Sequence, residues 1–158
     1  MTSEKKQEFT RKITAANRAQ LITVIYEIML ASLEEGKAAL VAGDDEQTEQ
    51  ALRRARKCLD QLISSLDMQY EISFTLQNTY LICKKKLMLA QAGRDEKQLN
   101  ETMDYITRLH DAWKQIEPLD ESEAGFDNAQ TVYAGLTYGR GTLNESVADP
   151  AANRGFLG

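Results

Sequence analysis

The chain has 158 residues, of which 42% are hydrophobic and 27% charged, and it contains only two prolines. That length fits a single domain, and the composition is typical of a globular protein that can bury a core. The formal net charge is −5 and the pI is near 5.0. Both values argue against nucleic acid as a partner, because neutralising phosphates requires a dominant basic face.

Neither a secretory signal nor a membrane span is expected from the sequence. Residues 1–12 are charged and lack the apolar core of a signal peptide, which predicts a cytoplasmic protein. The longest apolar stretch, residues 21–33, has 13 residues and includes Glu27, whereas a helical span needs about 18 to 20 residues. Cys58 and Cys83 fall on apolar faces of predicted helices and are interpreted as reduced core residues.

The first predicted element is an N-terminal arm over residues 1–16. It carries four basic and two acidic residues, a net charge of +2. Its large apolar side chains are Phe9 and Ile13, which give the arm two hydrophobic positions that can pack against the rest of the chain.

Four long helices are predicted to follow over residues 17–117. Asn17 is a candidate N-cap with Gln20 three residues later, and Gly43 suits the left-handed position that ends a helix. Pro118 prevents the last helix from continuing. The predicted helices cover residues 17–42, 46–66, 70–92 and 95–117. Their length and the short turns between them predict an all-α fold, an antiparallel up-down four-helix bundle.

A tail is predicted over residues 118–158, which hold six of the nine glycines. Apolar residues recur in the tail at the spacing i, i+3, i+4, i+7, which is typical of a short amphipathic helix. These residues are Ala129, Val132, Tyr133 and Leu136. We therefore expect one short fifth helix in the tail, followed by an irregular end, and the tail is apolar enough to dock on the bundle.

The third predicted helix is apolar on two opposite faces. One stripe is expected to face the bundle core and consists of Ile72, Leu76, Tyr80, Cys83 and Leu87. The opposite face carries Phe74, Leu81 and Met88, spaced one heptad apart, with Ile82 and Leu89 beside them. Lysines at positions 84, 85 and 86 interrupt this second face. A bundle helix buries only part of its circumference, so the second face needs a cover.

The first predicted helix also has an unusually wide apolar arc. A second ridge that includes Ile22, Tyr26 and Met29 runs beside its core-facing ridge. The surplus surface on both helices can be covered by the chain's own arm and tail, by a second copy, or by an apolar helix of a partner. Geometry alone favours the arm and tail as the cover. A partner helix can bind the same surface as well if the arm and tail are displaceable.

No catalytic site, metal site or cofactor site is predicted. His110 is the only histidine and lies with Met103, Ile106 and Trp113 on the apolar side of the fourth predicted helix, which favours a partly buried structural role. The alternative is a phosphotransfer bundle that displays this histidine on its surface. The sequence contains no Glu-x-x-His pattern, and the glycines after Gly135 lack the lysine and the preceding strand of a phosphate-binding loop.

Short motifs along residues 13–116 resemble those of the flagellin-specific export chaperones, the FliS family. The segments that carry the resemblance are residues 13–17 (Ile-Thr-Ala-Ala-Asn), 21–27 (Leu-Ile-Thr-Val-Ile-Tyr-Glu), 64–67 (Ser-Ser-Leu-Asp), 71–80 and 109–114 (Leu-His-Asp-Ala-Trp-Lys). His110 stands where the family has arginine, which also favours a structural role for it. The order and spacing of these five segments make the resemblance to the family strong.

The resemblance implies a cytoplasmic bundle that binds the C-terminal helices of flagellin, prevents premature polymerisation and delivers flagellin to a component of the flagellar export gate. It also implies that Phe9 and Ile13 belong to a displaceable cover. Combined with the surplus apolar surface, it gives a candidate partner-binding set. That set is Ile22, Tyr26, Met29, Phe74, Leu81, Ile82, Met88 and Leu89. The alternatives are a homodimer that closes the third helix on itself and, ranked lower, the phosphotransfer bundle.

Overall fold

The computed structural model describes residues 1–119 of the chain. These residues form five helices and a final 3-10 turn: α1 (Ser3–Ala15), α2 (Arg18–Ala42), α3 (Asp45–Ser64), α4 (Glu71–Gly93), α5 (Glu96–Ile116) and the turn Glu117–Leu119. The four predicted helices correspond to α2, α3, α4 and α5. The prediction of an all-α antiparallel bundle is confirmed. The short helix predicted around residues 129–136 lies outside the described residues.

Local side-chain chemistry fixes the helix ends. Asn17 and Gln20 form a full capping box, in which each side chain accepts from the other residue's backbone N–H at 2.9 Å. Asp44 and Asp95 cap α3 and α5, each carboxylate accepting from the amide three residues later at 3.0 Å. Gly43 follows α2 in the left-handed conformation, with φ of 76°. These ends follow the sequence signals directly.

The end of α4 differs from the prediction by one residue. Gly93, expected just past the helix, is its last helical residue, and Arg94 takes the left-handed position with φ of 49°. Asp95 must be extended to cap α5, so a single residue is left to turn the chain. The Arg94 guanidinium lies 2.5 Å from a carboxylate oxygen of Asp45, on the neighbouring turn.

The N-terminal arm is a helix, which the sequence did not predict. Thr2 caps α1 by accepting from the N–H of Lys5 at 3.3 Å, and Phe9 and Ile13 are buried one turn apart. The helix runs antiparallel along α2. The α-amino group of Met1 lies 2.9 Å from Glu35, and Lys12 Nζ lies 2.8 Å from Glu27.

The wide apolar arc on the first predicted helix is explained by the position of α2. This helix packs against three others, α1, α3 and α5, whereas α4 packs mainly against α3 and α5 and lies diagonally across the bundle from α2, which it touches through Tyr80. Tyr26 and Met29 are fully buried, and Ile22 is partly buried against the core. The second ridge of α2 is therefore core surface in this structure.

Both cysteines are buried with free thiols. Burial raises the pKa of each thiol, that of Cys83 to about 11, so neither is a thiolate near neutral pH. Within residues 1–119, no helix is both long enough and apolar enough to cross a bilayer.

We expect Gly36→Ala to destabilise the bundle, because α2 and α3 meet closely at this glycine. A Cβ atom at Gly36 would lie 2.7 Å from Cδ2 of Leu52, which is itself fully buried. Overpacking of this kind costs about 1 to 3 kcal/mol of unfolding free energy. Urea denaturation followed by circular dichroism measures the loss.

Gly93→Ala is the matched control. Gly93 is helical, and nothing lies within 4 Å of the position of its added Cβ. Replacing a helical glycine that has free space with alanine stabilises by about 0.5 to 1 kcal/mol. Equal effects of the two substitutions would contradict a close contact at Gly36.

Candidate partner-binding surface

The rotation of α4 about its own axis is set by one inward stripe. That stripe consists of Ser73, Leu76, Tyr80, Cys83, Leu87 and Ala90, spaced three or four residues apart. Ile72, predicted to face the core, is instead 66% exposed. Ser73 takes the inward position because its hydroxyl donates to the carbonyl of Asp67 at 2.6 Å, which ties the start of α4 to the preceding turn.

The outer face of α4, defined by Phe74, Leu81, Ile82, Met88 and Leu89, is apolar and exposed. Phe74, Leu81 and Met88 each come directly after an inward residue of the stripe. Because successive residues of a helix are rotated by about 100°, these three side chains point away from the core. All five side chains are between 49% and 57% exposed. These five apolar side chains share one helix face, which Lys85 interrupts, and such an exposed apolar patch is typical of an interaction site.

The N-terminal helix does not cover this patch. It packs on α2, and Phe9 and Ile13 enter the core there, diagonally opposite the outer face of α4. The candidate set from the sequence is therefore divided. The five α4 residues share one exposed face, whereas Tyr26 and Met29 are core residues and Ile22 is partly buried beside them.

Two grooves flank the outer face. The groove towards α3, of about 470 Å³, is largely basic and includes Met88; its lining is Arg53, Arg56, Lys57, Asp60, Lys84 and Met88. The groove towards α5, of about 370 Å³, places Ile82 beside Tyr105. Lys84 is paired with Asp60 at 2.5 Å, whereas Lys85 and Lys86 are exposed on α4. The surface suits a partner that is apolar and carries acidic groups.

A small polar cluster in the core joins α2, α4 and α5. The hydroxyls of Tyr26 and Tyr80 are hydrogen-bonded at 2.7 Å, and the ring of His110 stacks on Tyr26 with centroids 6.0 Å apart. Burial raises the pKa of both tyrosines, so both hydroxyls stay protonated. This bond connects the two helices that lie diagonally across the bundle.

The position of His110 opposes the phosphotransfer reading. Its side chain is 8% exposed, and Nε2 is buried without a hydrogen-bond partner among the described residues. A phosphoacceptor must be reached by its donor, and this imidazole faces the core. Within residues 1–119, no three metal-binding side chains converge either.

The family model described as "Flagellar protein FliS" matches residues 1–120. The chain belongs to the FliS family. Two relatives are both called "Flagellar secretion chaperone FliS". That of Bacillus subtilis (strain 168) is 25% identical over 103 residues, 65% of this chain and 77% of the relative. That of Salmonella typhimurium (strain LT2) is 27% identical over 109 residues, 67% of this chain and 81% of the relative. The FliS match ends at residue 120, one residue beyond the described bundle.

We expect Tyr80→Phe to destabilise this FliS bundle more than a hydroxyl deletion at the surface. The variant removes the partner that the Tyr26 hydroxyl has at 2.7 Å and leaves it only the Trp113 indole, which hydrogen-bonds to both tyrosines. Loss of one buried hydrogen bond costs about 0.5 to 1.5 kcal/mol. A double-mutant cycle by urea denaturation checks this: the combined Tyr26→Phe and Tyr80→Phe variant should lose less stability than the sum of the single variants. Strict additivity would contradict the coupling.

The stability of the bundle should depend on the protonation of His110. Burial lowers the pKa of His110 below its usual 6.5, and Lys114 acts in the same direction, against smaller opposing effects of Glu27, Asp111 and Glu117. The unfolded chain therefore binds a proton at a pH where the folded chain does not. The free energy of unfolding should fall as the pH decreases from about 6.5 through the folded pKa, and then level off.

The contribution of His110 is isolated by comparison with His110→Gln, which cannot titrate. Urea unfolding at pH 7.5 and pH 5 measures the difference, and carboxylates that titrate in the same range cancel between the two proteins. The stability gap between wild type and variant should change with pH. A gap that stays constant would show that His110 is not protected from protonation.

Proposed function

We propose that this chain is a flagellar secretion chaperone that binds the C-terminal helical segment of flagellin on the outer face of α4. The observation that carries the proposal is the patch of five half-exposed apolar side chains, which no other described element covers. The family and the names of the two relatives support the flagellar role. In this proposal the protein acts by binding and performs no catalysis.

An amphipathic helix is the partner structure that fits this surface. Phe74, Leu81 and Met88 form one row along α4, with Ile82 and Leu89 beside it. A partner helix with apolar residues every three or four positions can place them along these rows. Met88 adds an unbranched, polarizable side chain that adapts to different shapes. The basic groove beside α3 accommodates acidic residues at the edge of such a helix.

The magnitude of the binding energy favours a reversible complex. Each of the five side chains is about half exposed, so burying its exposed half contributes about 1 kcal/mol, or about 5 kcal/mol in total. The side chains of the partner contribute a similar total. Folding a disordered segment on binding costs about 2 to 5 kcal/mol. Roughly 5 to 8 kcal/mol remain before the loss of translational and rotational freedom on association, which limits the affinity further.

In a cell, the complex would form in the cytoplasm and keep flagellin's terminal helices from polymerising. Weak to moderate affinity allows the loaded chaperone to release flagellin at a component of the export gate. Both steps are supported by the family and by the names of the two relatives.

We expect Leu81→Asp to weaken binding to a synthetic flagellin C-terminal peptide by about 10- to 100-fold, because the variant removes an apolar contact and buries a charge. Phe74→Asp should act in the same way. Both side chains are about half exposed in the bundle, so circular dichroism spectra and urea midpoints should stay close to wild type. Isothermal titration calorimetry measures the affinity.

Gln50→Asp is the matched control, since it adds the same charge at an exposed position on α3. The Gln50 amide donates to Glu46 at 3.3 Å and Gln50 lies four residues before Arg54, so urea midpoints must show that the added charge leaves the bundle folded. The variant should bind like wild type. Unchanged binding by both α4 variants would overturn the proposed surface. If the wild-type chain forms a dimer at micromolar concentration and does not bind the peptide, the homodimer is favoured instead.

A further inference from the structure

The outer face of α4 consists of two rows that border different grooves. Phe74, Leu81 and Met88 are one heptad apart, and Met88 lines the groove towards α3. Ile82 and Leu89 lie about 100° further round the helix, and Ile82 lines the groove towards α5. A partner helix that packs along this second row therefore also contacts α5.

The groove towards α5 has apolar walls and a floor that needs no polar partner. Ile82 on α4 and Tyr105 on α5 form the walls, and they are 55% and 41% exposed. Cys83 and Thr102 lie at the floor and are almost fully buried. The Thr102 hydroxyl already donates to the carbonyl of Gln98 at 2.8 Å. An apolar side chain can therefore enter this groove of about 370 Å³ without leaving that hydroxyl unpaired.

Two cations lie at opposite ends of this groove. The helices α4 and α5 are antiparallel, so the residues after Ile82 and the residues after Tyr105 run in opposite directions. Lys86 therefore lies about one helical turn from the apolar walls on one side, and Arg108 about one turn from them on the other. The Arg108 guanidinium lies over the Tyr105 ring, 5.8 Å from its centroid.

Both cations are available to an acidic partner. Within residues 1–119, neither Lys86 nor Arg108 has a carboxylate at ion-pair distance. Glu101 also lines this groove, but its carboxylate lies 4.0 Å from the ammonium group of Lys97 on the same helix. A carboxylate from a partner can thus form a new ion pair at each end of the groove.

The cations beside α3 are in a different state. Lys84 is paired with Asp60 at 2.5 Å, and Arg53 is paired with Glu49 at 2.9 Å. A partner carboxylate on that side has to compete with ion pairs that the bundle already contains. The gain from each acidic residue of a partner is therefore larger in the groove towards α5.

We propose that the partner helix lies along the groove towards α5 and holds one of its apolar side chains between Ile82 and Tyr105. Carboxylates about one helical turn before and after that side chain pair with Arg108 and Lys86. The partner is thus an amphipathic helix that carries acids three or four residues to either side of an apolar residue. This binding mode rests on the proposed function, because it concerns the same bound helix.

Titration calorimetry of the flagellin C-terminal peptide with variants of the full chain tests this binding mode. We expect Tyr105→Ala to weaken binding about tenfold, because it removes one apolar wall of the groove. The matched control is Tyr105→Phe, which keeps the ring and should bind within about twofold of wild type. Tyr105 is partly exposed, so the urea midpoints of both variants should stay close to wild type.

The charge of Arg108 is tested separately. Arg108→Gln should weaken binding by about two- to fivefold at low ionic strength, as expected for the loss of an exposed ion pair. This loss should shrink in high salt, whereas the loss from Tyr105→Ala should not. Arg108→Lys keeps the charge and should bind nearly like wild type. Arg53→Gln removes the same charge from the groove towards α3 and should change the affinity less.

The outcomes separate the binding mode from the proposed function. If Leu81→Asp weakens binding while Tyr105→Ala and Arg108→Gln do not, the binding mode is overturned and the proposed function stands. An effect of Arg53→Gln as large as that of Arg108→Gln places the acids beside α3 and also overturns it. If the wild-type chain does not bind the peptide, both fail. Dimerisation of the wild-type chain that Tyr105→Ala abolishes assigns the groove to a second copy and overturns the binding mode.

Discussion

The hydrogen bond between Tyr26 and Tyr80 is the constraint on which the exposed outer face of α4 depends. It joins α2 and α4 through the centre of the bundle at 2.7 Å and requires the Tyr80 side chain to point inward. A helical residue next to an inward one is rotated by about 100°, so an inward Tyr80 forces Leu81 outward. The contact from Ser73 to the Asp67 carbonyl fixes the same rotation at the start of α4.

The two helices with surplus apolar surface have different surroundings. The helix α2 has three neighbours, so both of its apolar ridges are buried and serve only the core. The helix α4 has two neighbours, so its second face stays in contact with solvent. The number of packed neighbours thus decides which apolar residues are buried in the core and which stay exposed. Within residues 1–119, that distinction singles out α4.

Much of the fold follows from the sequence because its signals are local. Asn17 and Gly43 mark helix ends through their own side-chain or backbone chemistry, and the structure places helix ends at both. The periodicity of α4 likewise identified Phe74 and Leu81 as lying opposite the core, and both are exposed. These features depend only on residues a few positions apart.

The errors concern contacts between distant parts of the chain. Ile72 is more apolar than Ser73, yet Ser73 faces inward, because a hydrogen bond to the preceding turn outweighs the side chain's polarity at that position. Tyr26 and Met29 were placed on a binding surface, since no sequence pattern reports that α2 has a third neighbour. The helical nature of α1 was missed because only Phe9 and Ile13 mark its apolar face, and the structure settles it through packing on α2.

The two apolar faces of α4 are not interchangeable in the core. If α4 were rotated about its axis by one residue, Leu81 and Met88 would replace Tyr80 and Leu87, but Gln77, Lys84 and Gln91 would replace Leu76, Cys83 and Ala90. That arrangement would bury a charge and two amides and would separate the Tyr26 hydroxyl from Tyr80. Polar residues spaced along α4 therefore allow it to carry a second apolar face and still have a single native packing.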